Sequence, residues 1–276
     1  MKKHSQNGGD LNLNSSQIKY KSDVAILKDF GGRGCKLILF KTLRTKGFED
    51  VDMPIKGSVN EEKLDNNICR ARSEIFELAY CNEWQYFTTF TIDQKKFGRY
   101  DLDKYHKAFT QWLRDYNKKF GTHIKYLTIP EQHKDGAWHE HGFLLGLPPE
   151  SLRLFDAEKE KLPKYIRDKL LRGSPVYDFP AYRDKFGFCD FEPIRSLEGV
   201  SKYVTKYISK DLAKSVTASG AHLFYHSLGL QKAMEIKKGT LSDTQGVCSW
   251  DYENDWVKVK WYNTSEPLTT LSEMIT

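Results

Sequence analysis

The stretch "HIKYLTIPEQHKDGAWHEHGFLLGL", residues His123–Leu147, decides how this chain is read. Its first part, His123–His133, is rich in β-branched and apolar residues and predicts a strand. "KDGA" predicts a tight turn, and Trp138–Leu147 a second strand. Two strands joined by so short a glycine-containing turn form a hairpin. Side chains alternate along a strand, so His139 and His141 share one face while Trp138, Glu140 and Gly142 share the other. If the hairpin closes around Asp135, Glu131 lies opposite His139. Two imidazoles and a carboxylate then converge from adjacent strands, a three-ligand seat for a divalent cation used as a Lewis acid. His133 has the same parity and is a substitute ligand, whereas Gln132 points away unless a bulge intervenes. The plainer alternative is that two polar residues simply close a buried strand.

Working outward, "WQYFTTFTI" (Trp84–Ile92) is aromatic and β-branched and predicts another strand. Asp101–Gly121 opens with acids, spaces Tyr105, Phe109, Trp112 and Tyr116 by three or four, and stops at glycine, which predicts a helix. "EKEKLPKYIRDKLL" predicts a helix, Lys185–Ile194 a strand, and Ser196–Lys214 a helix. The order β-α-β-β-α-β-α predicts an α+β fold: a ferredoxin-like, RRM-like central antiparallel sheet with helices on one face. Upstream, Val59–Tyr80 has helical spacing behind a cap at Asn60, and Cys35–Leu43 reads as a strand after "GGRG", an ordinary turn rather than a phosphate loop. Residues 1–20 are polar and predict a disordered tail, 21–58 a strand-and-loop extension, 59–215 the main domain, and 216–276 an extension in which "WVKVKWY" (Trp256–Tyr262) alternates like a strand. His222 and His226, spaced i,i+4 as on a helix, lack a nearby carboxylate and read as surface or core histidines.

Composition narrows the class. Lys+Arg 43 against Asp+Glu 37 gives a net charge of +6 in 276 residues, which permits a polyanionic partner without requiring one. No run approaches the ~20 apolar residues of a membrane span, and the first residues lack the apolar core of an export signal. Five scattered cysteines without a Cys-x-x-Cys pair suit reduced thiols in a cytoplasm.

The segment Ser196–Lys214 is the second informative element. On an ideal helix Val200, Val204, Ile208 and Leu212 form an apolar stripe, Lys202, Lys206, Lys210 and Lys214 a basic row, and Tyr203 and Tyr207 lie at the seam, one turn apart. Packing alone accounts for tyrosines in such a place. Beside a metal seat they match a sharper chemistry, phosphodiester transfer to tyrosine. A phenol with pKa ≈ 10 is rarely ionised at neutral pH, and neighbouring lysines favour the phenolate and grip the flanking backbone. Tyr203 and Tyr207 are the candidate nucleophiles, Lys206 and Lys210 their helpers, and Lys202 and Lys214 candidate DNA contacts.

With these residues in view the sequence resembles the HUH endonucleases, and among them the rolling-circle replication initiators of small single-stranded-DNA phages, plasmids and mobile elements. "YFTTFTID" (Tyr86–Asp93), "YLTIPEQHKDGAWHEHGFLLGLP" (Tyr126–Pro148) and "YVTKYISK" (Tyr203–Lys210) carry the likeness. The resemblance implies Mg²⁺ or Mn²⁺ on His139, His141 and Glu131, nicking of single-stranded DNA at an origin, and a covalent 5′-phosphotyrosine. Two features depart from the pattern or leave it open. Glu140 stands where a bulky hydrophobe is usual, which implies a wetter sheet face or a basic partner. Both tyrosines satisfy Tyr-x-x-Lys, so either alone or both in alternation fit. No Walker-type phosphate loop occurs, so a host or partner helicase would unwind the duplex and a polymerase copy it. A transposase with the same chemistry and a non-catalytic single-strand-binding module with an RRM-like sheet are the competing readings. A relaxase is disfavoured because the tyrosines follow the histidines.

Overall fold

The computed structural model describes residues 20–44, 61–242, 247 and 249–276. In chain order the elements are β1 (Tyr20–Lys21), β2 (Val24–Asp29), β3 (Cys35–Phe40), β4 (Leu43–Arg44), α1 (Glu61–Tyr80), β5 (Tyr86–Thr91) and α2 (Leu102–Phe120). They continue with β6 (Lys125–Gln132), β7 (Trp138–Leu145), β8 (Arg153–Leu154), α3 (Lys164–Leu171), β9 (Tyr177–Asp178), α4 (Pro180–Lys185) and β10 (Cys189–Pro193). After these come α5 (Leu197–Val204), α6 (Lys210–Ser219), β11 (Tyr225–His226), β12 (Met234–Thr240), β13 (Tyr252–Glu253), β14 (Val257–Tyr262) and α7 (Leu268–Glu273). The chain is α+β and forms two compact units, Met1–Met53 with Met234–Thr276, and Pro54–Ala233. Of the predicted tail over 1–20, residues 1–19 lie outside the described residues, as does the helix cap at Asn60, while Tyr20 belongs to β1 and not to a tail. No described helix is long and apolar enough to cross a membrane.

In the unit Pro54–Ala233 a seven-stranded sheet runs β11-β6-β7-β5-β10-β9-β8. Every recorded pairing in it is antiparallel. β6 and β7 form the expected hairpin, with Glu131 opposite His139 and Gln132 opposite Trp138. Gly142 is required here: a Cβ would lie 2.0 Å from the Leu127 carbonyl oxygen of β6. α2 forms because Asp101 caps its first turn, accepting from the Lys104 N–H, and because Gly121 ends it in the left-handed region at φ 64°. Its buried residues Leu102, Tyr105, Phe109 and Leu113 face the sheet, and Phe109 packs on Phe90 and Tyr126.

Three sequence expectations need correction. Helices lie on both faces of the sheet: α2 backs the face of Phe90 and Glu140, while the α5 segment lies over the face of Phe87 and His141. The predicted continuous helix Ser196–Lys214 is two helices, α5 and α6, joined by a 3₁₀ turn over Thr205–Tyr207 and an extended Ile208 at ψ 95°. Ser209 supplies the reason, since its hydroxyl accepts from Leu212 N–H and starts a new helix, and the Thr205 hydroxyl bonds back to the Lys202 carbonyl. Finally, His222 and His226 share no helix, because His226 is in β11 paired with Leu127 of β6.

The other unit is a five-stranded antiparallel sheet, β12-β2-β3-β14-β13, so strands from the two ends of the chain pair directly. Leu27, Leu37 and Leu39 form its core with Leu271 and Ile275. "GGRG" is the β2–β3 turn, with Gly31 and Gly32 at φ 67° and 81°. "WVKVKWY" supplies β14, which lies beside β3.

Candidate active site

Strand alternation puts His139 and His141 on one face of β7, and the neighbouring strands determine what surrounds them. β5 sets Thr91 directly opposite His139 and Thr89 opposite His141. The Thr91 hydroxyl meets His139 Nδ1 at 3.0 Å, and the Thr89 hydroxyl meets His141 Nδ1 at 3.3 Å. With Nδ1 engaged, the Nε2 atom of each ring is the one available to another partner. From β6, Glu131 reaches diagonally to His141, Oε2 to Nε2 at 2.7 Å, and the His133 ring lies 3.9 Å from that of His139.

The protonation states follow from these neighbours. Burial, then the imidazoles of His133 and His141, push His139 down to about 4, so it is neutral near pH 7. The hydrogen bond from His141 holds Glu131 below the usual carboxylate range. A carboxylate and neutral imidazoles are the donor types a divalent cation takes. Threonine hydroxyls on Nδ1 are the kind of outer partner that orients such ligands. As the side chains stand, no three His, Cys, Asp or Glu groups among the described residues converge into a metal cage. The Glu131–His141 contact is a direct hydrogen bond between two of the candidate donors.

α5 carries Tyr203, and the 3₁₀ turn after it carries Tyr207. Tyr207 stacks on His141 with ring centroids 4.3 Å apart and planes 12° apart. Tyr203, 44% exposed, sets its edge against Phe87 and its hydroxyl 3.1 Å from that of Tyr207. Burial, then the bond with Tyr203, raises the Tyr207 phenol above its ordinary range. The phenols therefore lie on the same sheet face as the imidazoles. The basic row does not survive the break: Lys202 pairs with Glu198 at 2.6 Å, Lys206 Nζ lies 5.3 Å from the centre of the Tyr203 ring, and Lys210 and Lys214 belong to α6.

A cavity of about 920 Å³ opens over these groups, lined by Glu131, His139, His141 and Tyr207 and also by Lys169 and Arg195. A second cavity, about 480 Å³, shares Glu131, Tyr203 and Tyr207 and is completed by Lys206, Ser209 and Asp211. The tyrosines thus form a ridge between two clefts. Asp190 of β10 lies opposite Thr89; it is buried, accepts from the Tyr165 hydroxyl at 2.7 Å, and is pushed up to about 6 mainly by burial.

On the reverse face Glu140 is fully buried, and its Oε1 pairs with His106 Nδ1 of α2 at 3.0 Å. This histidine is the partner that the unusual residue between His139 and His141 called for. Sequence reading missed Thr89, Thr91 and Arg72. The parity of "YFTTFT" put both threonines on the face of Phe87, but not opposite the histidines. Arg72 carried no signal: its guanidinium donates to the Ile208 carbonyl from a helix 136 residues earlier.

These features define an antiparallel α+β domain with histidines, a carboxylate and two tyrosines around one cavity. Within it, residues 85–212 match a family model of replication-associated proteins, a likeness consistent with a replication initiator. The matched segment includes every residue of the cluster and both tyrosines. No curated protein and no solved structure gives a significant match.

Proposed function

We propose that this chain is a rolling-circle replication initiator of the HUH endonuclease type, which nicks and rejoins single-stranded DNA through a covalent 5′-phosphotyrosine. One observation carries the reading: Tyr207 stacks on His141 in the cavity that also holds Glu131 and His139. The strand order β6-β7-β5-β10, with α2 between β5 and β6, supports a ferredoxin-like sheet. The match to the replication-associated family over residues 85–212 supports the replication role.

In this reading His139, His141 and Glu131 hold Mg²⁺ or Mn²⁺, with His133 adjacent. An ion held there would supply Lewis acidity to the scissile phosphate. A tyrosine oxygen attacks phosphorus; the bond from phosphorus to the 3′ oxygen breaks, a phosphorus–phenol oxygen bond forms, and the phenol proton ends on the leaving 3′-hydroxyl. Ester replaces ester, so no nucleotide is consumed. Tyr203 is the more accessible nucleophile, and the Lys206 ammonium lies over its ring. Tyr207, hydrogen-bonded to it, takes the second transfer. Lys210 assists Tyr207, Lys202 and Lys214 contact the DNA backbone, and a helicase and polymerase complete the machinery, in the host cytoplasm if the carrier is a phage.

The test is incubation with single-stranded origin-type DNA and Mn²⁺, followed by denaturing electrophoresis. A protein–DNA adduct is expected, abolished in the double variant Tyr203→Phe/Tyr207→Phe and strongly reduced in His139→Ala/His141→Ala. Binding without any adduct would instead support the sheet as a non-catalytic binding module.

A further inference from the structure

The break between α5 and α6 leaves a backbone group without a helical partner. Ile208 is extended, so its carbonyl lies outside the ladder of either helix. That carbonyl accepts two hydrogen bonds from Arg72 of α1, from Nε at 3.1 Å and Nη2 at 2.7 Å. The Ile208 side chain is fully buried in the core that also takes Ile68, Ala71 and Ile75 of α1. Tyr207 is therefore attached to a short non-helical hinge gripped from one side by core packing and from the other by a guanidinium. Tyr203 sits earlier, within α5, whose start is capped by Ser196.

We propose that Arg72 is a positioning residue for Tyr207 and not for Tyr203: by holding the Ile208 carbonyl it keeps the Tyr207 ring on His141 and so sets which phenol can receive the second strand. The functional half of this statement rests on the tyrosine-transfer reading above; the geometric half does not. Arg72 itself is exposed, so its bond to Ile208 orients the hinge and contributes little to the core. A lysine cannot reproduce it in full, since an ammonium lacks the planar fork that puts two N–H groups on one oxygen.

Arg72→Met, made in full-length protein, is placed in two backgrounds. With Tyr203→Phe, where only Tyr207 forms the adduct, the rate of adduct formation falls about tenfold to a hundredfold, the cost of a displaced reacting group. With Tyr207→Phe the same substitution changes the rate less than about twofold. Arg72→Lys gives an intermediate loss in the first background only, and it supplies the same comparison if Arg72→Met fails to fold. An equal effect in both backgrounds, or none in either, overturns the proposal while leaving the transfer reading intact. Carbon-13 tyrosine spectra read the geometry without any reaction: the Tyr207 ring resonance moves out of the imidazole ring current in Arg72→Met, and that of Tyr203 stays. If wild type forms no adduct at all, the transfer reading fails, and an unmoved Tyr207 resonance then overturns the positioning role as well.

Discussion

Replacing His106 by leucine removes the hydrogen-bond partner of a fully buried carboxyl. Glu140 Oε1 is paired with His106 Nδ1 at 3.0 Å, and its Oε2 has no hydrogen-bond partner among the described residues. His106→Leu leaves both oxygens unsatisfied at a residue with 0% exposure. Breaking a buried pair from one side costs about 3–5 kcal/mol. The Tyr225 ring stacked on His106 at 3.6 Å loses its platform too. Glu140→Leu is different. It puts an apolar side chain on the face of Phe90, Phe109 and Tyr126, and leaves the His106 imidazole still bonded to the Tyr126 hydroxyl at 3.2 Å. Glu140→Leu alone leaves only the His106 Nδ1 unpaired, at about 1–3 kcal/mol, whereas replacing both partners by apolar side chains is near neutral, within about 1 kcal/mol. The double variant is then more stable than His106→Leu alone. For a unit of this size each kcal/mol moves the melting temperature by roughly 2–4 °C. His106→Leu is therefore expected to lose roughly 6 °C or more, with most of it restored by adding Glu140→Leu. Calorimetry or circular dichroism of the four proteins reads this cycle. Equal and additive losses from the two single changes would refute the argument, because they would mean that the carboxyl does not depend on the imidazole.

Other consequences follow from the site face. Thr91→Val removes the hydroxyl that meets His139 Nδ1, and Mn²⁺ affinity measured by calorimetric titration falls about tenfold to a hundredfold while melting temperature barely moves; unchanged affinity would remove the threonine from the proposed ligand shell. Gly142→Ala forces a methyl to 2.0 Å from the Leu127 carbonyl and lowers urea-unfolding stability by about 2 kcal/mol or more; an unaffected midpoint would place the hairpin strands farther apart. His139 titrates at about 4 when folded against an ordinary value near 6.5, so the unfolded chain binds its proton first as pH falls. Its contribution is therefore intact above pH 6.5 and lost towards pH 4, about 1 kcal/mol for a partly exposed ring, and His139→Gln flattens that limb of the stability curve. Parallel curves for the two proteins would show that this imidazole is not desolvated.

Local regularities made half of this protein legible without coordinates. The period of two along β7 sets His139 and His141 on one face whatever else the chain does, and the short turn at Asp135–Gly136 leaves the register little freedom, so Glu131 falls opposite His139. Capping and spacing likewise defined α2. Tertiary structure decided the rest, because it depends on which distant groups meet. Helical spacing through Tyr203 and Tyr207 was real, yet the Ser209 cap and the Arg72 grip on Ile208 made a break there, and that break put Tyr207 on His141. Thr89 and Thr91 became partners of the imidazoles only once β5 paired with β7, and Glu140 was reconciled with burial only by His106 arriving from α2. The pairing of β2 with β12 and of β3 with β14 joins segments some two hundred residues apart, and no pattern in either segment names its partner. Periodicity reports the face a side chain takes; the neighbour across the gap is chosen by packing over the whole domain.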